Sequence, residues 1–130
     1  VTYYSLPKGV TVTALKKGDE SPAEIDYYNT ETEDGNAPND IYNTYDCAYT
    51  VLKNKDVKQG KIAIVSDKFG YGIAPFLANN YNEVHIIDVD NFERNIKNYL
   101  EENKITEVVY LNGIMSANTA AKTAKTDAMF

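Results

Sequence analysis

Three short stretches hold the side chains whose types and spacing could do chemistry: Ser66-Asp67-Lys68, Asp88-Val89-Asp90 and Asn112-Gly113. Each lies at the end of a short apolar run, "KIAIV", "EVHIID" or "EVVYL", of the kind expected for strands buried on both faces. If the three strands are parallel, their carboxyl ends share one edge of a sheet, where open α/β folds bind ligands. The segment "SDKFGYG" reads as a strand, a tight turn and a helix start. Such a turn lifts residue 67 or 68 above the sheet and aims helix-start amides at an oxyanion. A hydroxyl belongs at its tip, and Lys68 stands there instead.

Each candidate has a functional and a plain reading. Ser66 could serve as a substitute nucleophile, but a one-residue shift along a strand turns a side chain to the opposite face. Small-residue packing at the strand end is the favoured alternative. Lys68 could bind an acidic ligand or act as an amine activated in a dry site; a solvated lysine is favoured over either. His85, the sole histidine, suits a general base. Its place between Val84 and Ile86, inside a strand, favours a packed structural role. Glu31, Glu33, Asp34 and Asp40 could hold calcium, yet they lack the alternating ligand spacing of a loop site. The 11 tyrosines could form a sugar-stacking surface, but amphipathic packing explains them equally, and the chain has no tryptophan.

The elements that must position these residues differ between the two halves. Residues 61–118 read as strand, helix, strand, helix, strand, an order that implies right-handed crossovers and a parallel sheet. "YGIAPFLANNY" supplies the first helix, with Pro75 expected in or near its first turn. "DNFERNIKNYLEEN" supplies the second, with Asp90 as its cap, Glu93 three residues on, and Asn103 as a left-handed terminator. Residues 1–60 read as an irregular lead-in. It has a hairpin from "VTYYS" and "VTVTAL", a long surface loop over 16–40, and a helix from Asp40 carrying Ile41, Tyr45, Ala48, Tyr49 and Leu52 at helical spacing. Residues 119–130 form an alanine- and threonine-rich tail, read as a closing helix or a loose end.

Composition narrows the function classes. The 130 residues fit one domain, 1–130, with a single hydrophobic core. Nineteen acidic against 13 basic residues give a net charge of −6, which repels phosphate backbones and argues against nucleic-acid binding. No apolar run reaches the ~18 residues of a membrane span, and the start carries no signal-peptide pattern. The start at Val1 rather than Met is read as the loss of an upstream segment. One cysteine, Cys47, excludes an intrachain disulfide framework and a multi-cysteine zinc site. "KFGYGIAP" has two glycines and no hydroxyl cluster, short of a phosphate-binding loop, so no cofactor is expected.

The run "SDKFGYGIAPFL…YNEVHIIDVDNF…NIKNYLEENKITEVVYLNGIMSAN" resembles the C-terminal part of the DHHW proteins, within the wider SGNH hydrolase-like group. Asp67, Phe69, Gly70, Pro75, Phe76, Leu77, Glu83, Val84, His85, Asp88, Ile105, Thr106 and Val108 match that pattern in order, over residues 61 to about 118. The resemblance implies an α/β fold with a small parallel sheet flanked by helices, SGNH- or flavodoxin-like. It also implies a bacterial cell-envelope or extracellular setting, since better-known members of the group add or remove acetyl groups on cell-surface polysaccharides. Asn112 resembles the asparagine that donates to the oxyanion in SGNH hydrolases; capping the strand end, or a turn with Gly113, explains it as well.

Two departures change the expected chemistry. Lys68 occupies the position of the family's serine nucleophile, and the aspartate and histidines that name the family lie in an N-terminal part absent from this sequence. A serine, its base and the base's orienting acid act as a unit. Asp90 further reverses the charge found in relatives. The expectation is therefore a catalytically silent relative that binds or scaffolds, with a surface polysaccharide or an envelope protein as partner. Asp67, Lys68, Asp88 and Asn112 are its ligand-binding candidates; Ser66, Asp67, Lys68 and Asn112 are weak catalytic ones. Two alternatives stay open: a carbohydrate O-acetyl esterase or acetyltransferase completed by another domain, and an unrelated flavodoxin-like small-molecule-binding domain. Exposed sheet edges leave room for a homo-oligomer.

Overall fold

The computed structural model describes residues 5–29, 41–44 and 46–130. Ten elements follow in order: strands β1 (Val10–Lys16), β2 (Ala23–Glu24), β3 (Cys47–Asn54) and β4 (Lys61–Ser66), helix α1 (Gly70–Leu77), strand β5 (Glu83–Asp88), helix α2 (Ile96–Glu102), strand β6 (Glu107–Leu111), and helices α3 (Ile114–Ala117) and α4 (Ala120–Met129). The six strands form one sheet in the order β2-β1-β3-β5-β4-β6.

The three strands expected from 61–118 are present, and β4 pairs parallel with both β5 and β6. A small parallel sheet is nevertheless not what forms. β5 also pairs antiparallel with β3, which continues antiparallel to β1 and β2, so the sheet is mixed and mostly antiparallel by ladder. The lead-in supplies half of the strands. The partner expected for a hairpin, "VTYYS", lies almost wholly outside the described residues, as does the acidic set Glu31, Glu33, Asp34 and Asp40.

The helix expected from Asp40 is a strand over Cys47–Asn54. Ala48 and Leu52 fall at helical spacing, but in the strand they part: Leu52 packs under α1, and Ala48, at a shift of register against β1, packs on the α2 side. Tyr49, Thr50 and Val51 are β-formers, however, and burial from Thr50 onward alternates as a half-covered strand requires. Thr50 and Leu52 face one side of the sheet while Tyr49 and Val51 face the other, and ladders to β1 and β5 satisfy the backbone on both edges.

The core lies on both faces of the sheet. Ile62 and Ile64 of β4 pack with Val84, Ile86, Tyr71, Ala74 and Ala78 under α1. Ala63 and Val65 face the other way, with Ile87, Phe92, Ile96, Tyr99 and Met129 under α2 and the end of α4. A period-2 strand with both faces apolar is what a two-sided cover demands.

Both helices are shorter than the sequence pattern indicates. α2 starts at Ile96, not after Asp90, because Asn95 takes the cap and its side chain accepts the amide of Asn98 at 3.0 Å. Residues 89–95 instead drop Phe92 into the core, with its amide on the carbonyl of Asp88. Asn103 is right-handed, and Lys104 takes the positive φ of 56°.

Pro75 sits in the second turn of α1, not the first. Lacking an N–H, it cannot serve the carbonyl of Tyr71 four residues earlier. Tyr27, from the lead-in, donates its hydroxyl to that carbonyl at 2.5 Å. Asn54, at the end of β3, donates to the carbonyl of Ala78 at 2.7 Å and fixes the other end of the helix.

Candidate functional site

β4, β5 and β6 end together, so the three stretches singled out above meet at one edge of the sheet. The turn after β4 is held from beneath by Asp67. Its carboxylate accepts the amide of Phe69 at 3.1 Å through Oδ1 and the amide of Gly113 at 2.9 Å through Oδ2. Its own amide donates to the side-chain carbonyl of Asn112 at 2.9 Å. Asp67 and Asn112 thus clamp the end of β4 to the end of β6. The side-chain amide nitrogen of Asn112 is engaged as well, donating to the Tyr110 hydroxyl at 2.5 Å. The polar groups of Asp67 and Asn112 are directed at the protein's own backbone and side chains.

Ser66 is fully buried and donates its hydroxyl to the carbonyl of Asp67 at 2.7 Å. The start of α1 is stacked directly on it. A Cβ added to Gly70 would stand 2.0 Å from the Ser66 oxygen, so only glycine lets the helix begin there. The hydroxyl is thus closed off from solvent and engaged with the backbone.

Lys68 is half-buried at the tip of the turn. Below it lies Asp88, fully buried at the end of β5. The carboxylate of Asp88 accepts the amide of Asp90 at 2.9 Å and faces the Tyr71 hydroxyl at 3.2 Å. That same hydroxyl lies 3.2 Å from the carbonyl of Thr44, so one proton stands between two acceptors. Burial raises the Asp88 pKa above the ordinary carboxyl value. The Asp90 amide, the positive charge of Lys68 and the Tyr71 hydroxyl all act in the opposite sense.

The other reactive groups are elsewhere. His85 lies mid-strand in β5, buried, with Nδ1 2.8 Å from the Tyr99 hydroxyl and Nε2 3.0 Å from Glu83. Lys61 completes the chain at 3.0 Å from the same Glu83 oxygen. Burial lowers the His85 pKa, with Glu83 opposing, and its ring ties β5 to α2. Cys47 is buried, and loss of solvent pushes its thiol up to about 11, so it carries little thiolate at neutral pH. Asp90 is met by the tail: Lys122 reaches its carboxylate at 3.2 Å and Lys125 its backbone carbonyl at 2.8 Å. Among the described residues no group of three His, Cys, Asp or Glu side chains could hold a metal ion. No helix among them is long and apolar enough to cross a membrane.

The residues that sequence reasoning missed are Tyr27, Tyr71 and Thr44. Their signal is weak: Tyr71 sits between two glycines at the helix start, and nothing marks Tyr27 as the donor that Pro75 requires.

No protein-family model matches the chain, and no curated protein does. Solved structures do. PatB1 of Bacillus cereus superposes with a TM-score of 0.69 at 22% identity, over 85% of this chain and 38% of its own. The structure of the same protein with a sulfonyl adduct gives 0.74 at 21%, over 93% and 42%. A DHHW family protein from Eubacterium siraeum gives 0.79 at 16%, over 96% and 42%. The chain spans about two fifths of the length of the solved proteins it matches. Over that span it has the mixed α/β fold of a DHHW family protein and of PatB1, in agreement with the DHHW-like run of residues 61–118.

Proposed function

We propose that this chain is a catalytically silent DHHW-type, SGNH-like module of a bacterial cell envelope, with a binding or scaffolding role on surface glycan. The observation that carries the reading is Ser66, whose hydroxyl is enclosed beneath α1 and spent on the carbonyl of Asp67. Lys68 supplies a positive charge where a nucleophile would stand, at the amide-bearing start of α1, which favours an acidic group on the ligand. Asp67 and Asn112 hold the turn in shape, and Asp88 lies beneath it as a buried acid. His85 bonds to Glu83 and Tyr99 inside the sheet and so is occupied away from the turn.

An acetylated chromogenic ester tests this directly. The chain is expected to give no turnover above buffer. Lys68→Ser is expected to stay inactive, because no histidine among the described residues serves the turn. Turnover that Ser66→Ala abolishes overturns the reading and favours the carbohydrate esterase or acetyltransferase alternative.

A further inference from the structure

One polar chain runs between the sheet and α2, away from the three strand ends. His85 sits mid-strand in β5, and it and Tyr99 of α2 are each 2% exposed. Its Nδ1 lies 2.8 Å from the Tyr99 hydroxyl and its Nε2 3.0 Å from Oε2 of Glu83. Lys61 of β4 reaches the same Glu83 oxygen at 3.0 Å and donates to the carbonyl of Asn103, at the end of α2, at 3.2 Å. Two polar bonds therefore hold α2 to β4 and β5, and both are anchored on Glu83. These contacts fix the tautomer. A carboxylate only accepts, so Nε2 carries the hydrogen and Nδ1 offers its lone pair to the Tyr99 hydroxyl. The reverse tautomer would set a lone pair against the carboxylate. An imidazolium would place a hydrogen on Nδ1 as well, and Tyr99 would have to turn its own away from the ring inside a buried contact. The neutral ring is the form that meets both partners.

We propose that His85 is a proton-operated latch on α2: neutral, it fastens the helix to β5, and a proton taken up at Nδ1 on acidification releases it. The groups around the ring set the sign. Burial lowers the His85 pKa, the bond and charge of Glu83 oppose it, and the charge of Lys61 adds to the lowering. Burial raises the Glu83 pKa, but the bonds to His85 and Lys61 outweigh it and hold the carboxyl below its ordinary value. β3 contributes Tyr49 and Lys53, the latter 3.5 Å from Glu83. The α2 side contributes Arg94, 5.9 Å over the Tyr99 ring and paired with Glu102. Tyr49 and Tyr99 stay neutral in acid, since burial raises both. With its folded pKa below the ordinary histidine value of about 6.5, His85 holds α2 at full strength above that pH and loses it as pH falls through the folded value. Glu83 keeps its charge to below the ordinary carboxyl range, so His85 is the group that switches. The latch is internal and separate from the turn at Lys68, and it stands whether or not that turn is silent.

With a single histidine in the chain, nitrogen NMR of the imidazole reads the latch without ambiguity. At about pH 7.5 the ring is expected to be neutral with its hydrogen on Nε2, and its titration midpoint is expected below the free value of about 6.5. From about pH 7 to about pH 5, hydrogen exchange of the α2 amides, corrected for its intrinsic pH dependence, is expected to quicken about threefold or more relative to the β4 amides. Glu83→Gln, which removes the opposing charge, is expected to move the midpoint further down. His85→Gln is expected to abolish the difference in pH response between α2 and β4. Should either variant fail to fold, the titration and exchange of the unaltered chain decide alone. A hydrogen on Nδ1 at neutral pH, a midpoint above the free value, or α2 and β4 amides that respond alike to pH overturns the proposal.

Discussion

Asp67 and Asp88 are both buried acids at the ends of neighbouring parallel strands, yet they do different work. Asp67 spends both oxygens on backbone amides, and an asparagine there offers one oxygen for two donors. Asp67→Asn is expected to lower stability by about 1–3 kcal/mol, the cost of leaving a buried donor unmet. Asp88→Asn keeps the acceptor for the Asp90 amide and removes a charge that burial disfavours. Because the folded pKa is raised, the native state binds more protons than the unfolded one above the ordinary carboxyl value. Wild-type stability therefore falls as pH rises through that window, while the Asn variant lacks the loss. Urea midpoints for the two variants, measured from about pH 4 to pH 7, should separate in opposite directions from wild type, and the Asp88→Asn advantage should grow with pH. Ser66 was read from sequence as a small residue packing at the strand end, and its hydroxyl lies buried beneath Gly70 on the carbonyl of Asp67. The bonds of Asp67 to Asn112 and Gly113 were not legible there, since their partners lie 45 and 46 residues away and no local pattern announces them.

At the scale of elements, the strand–helix alternation of 61–111 was readable because apolar runs and polar turns punctuate it cleanly. β3 was not, because Ala48, Tyr49 and Leu52 fall at helical spacing, and it is the ladders to β1 and β5, with a shift of register beside Ala48, that make the segment a strand. Helix ends were displaced by side-chain competition: Asn95 capped where Asp90 was expected to, and Lys104 turned where Asn103 was expected to. α1 carries its proline mid-helix because Tyr27 supplies the missing donor to Tyr71. Tyr27→Phe keeps the ring and its packing but leaves that carbonyl unserved. It is expected to cost about 1–2 kcal/mol, with hydrogen exchange of the α1 amides rising more than that of β4 and β5. Equal change in helix and strands would show that the hydroxyl supports the whole fold and not the helix.

Across the whole molecule, one sheet covered on two faces brings three potential site stretches to a common edge and then uses most of their polar atoms to fasten it. Sequence order predicted the meeting; only the folded chain reveals the fastening, because it depends on which way each side chain turns. On the proposed reading this edge carries no reactive nucleophile. Treatment with phenylmethylsulfonyl fluoride, read by intact mass and peptide mapping, tests it most directly, given that the related fold of PatB1 has been captured with a sulfonyl adduct. A chain of unchanged mass is expected after prolonged exposure. A stoichiometric sulfonyl adduct mapped to Ser66 or Lys68 would contradict it.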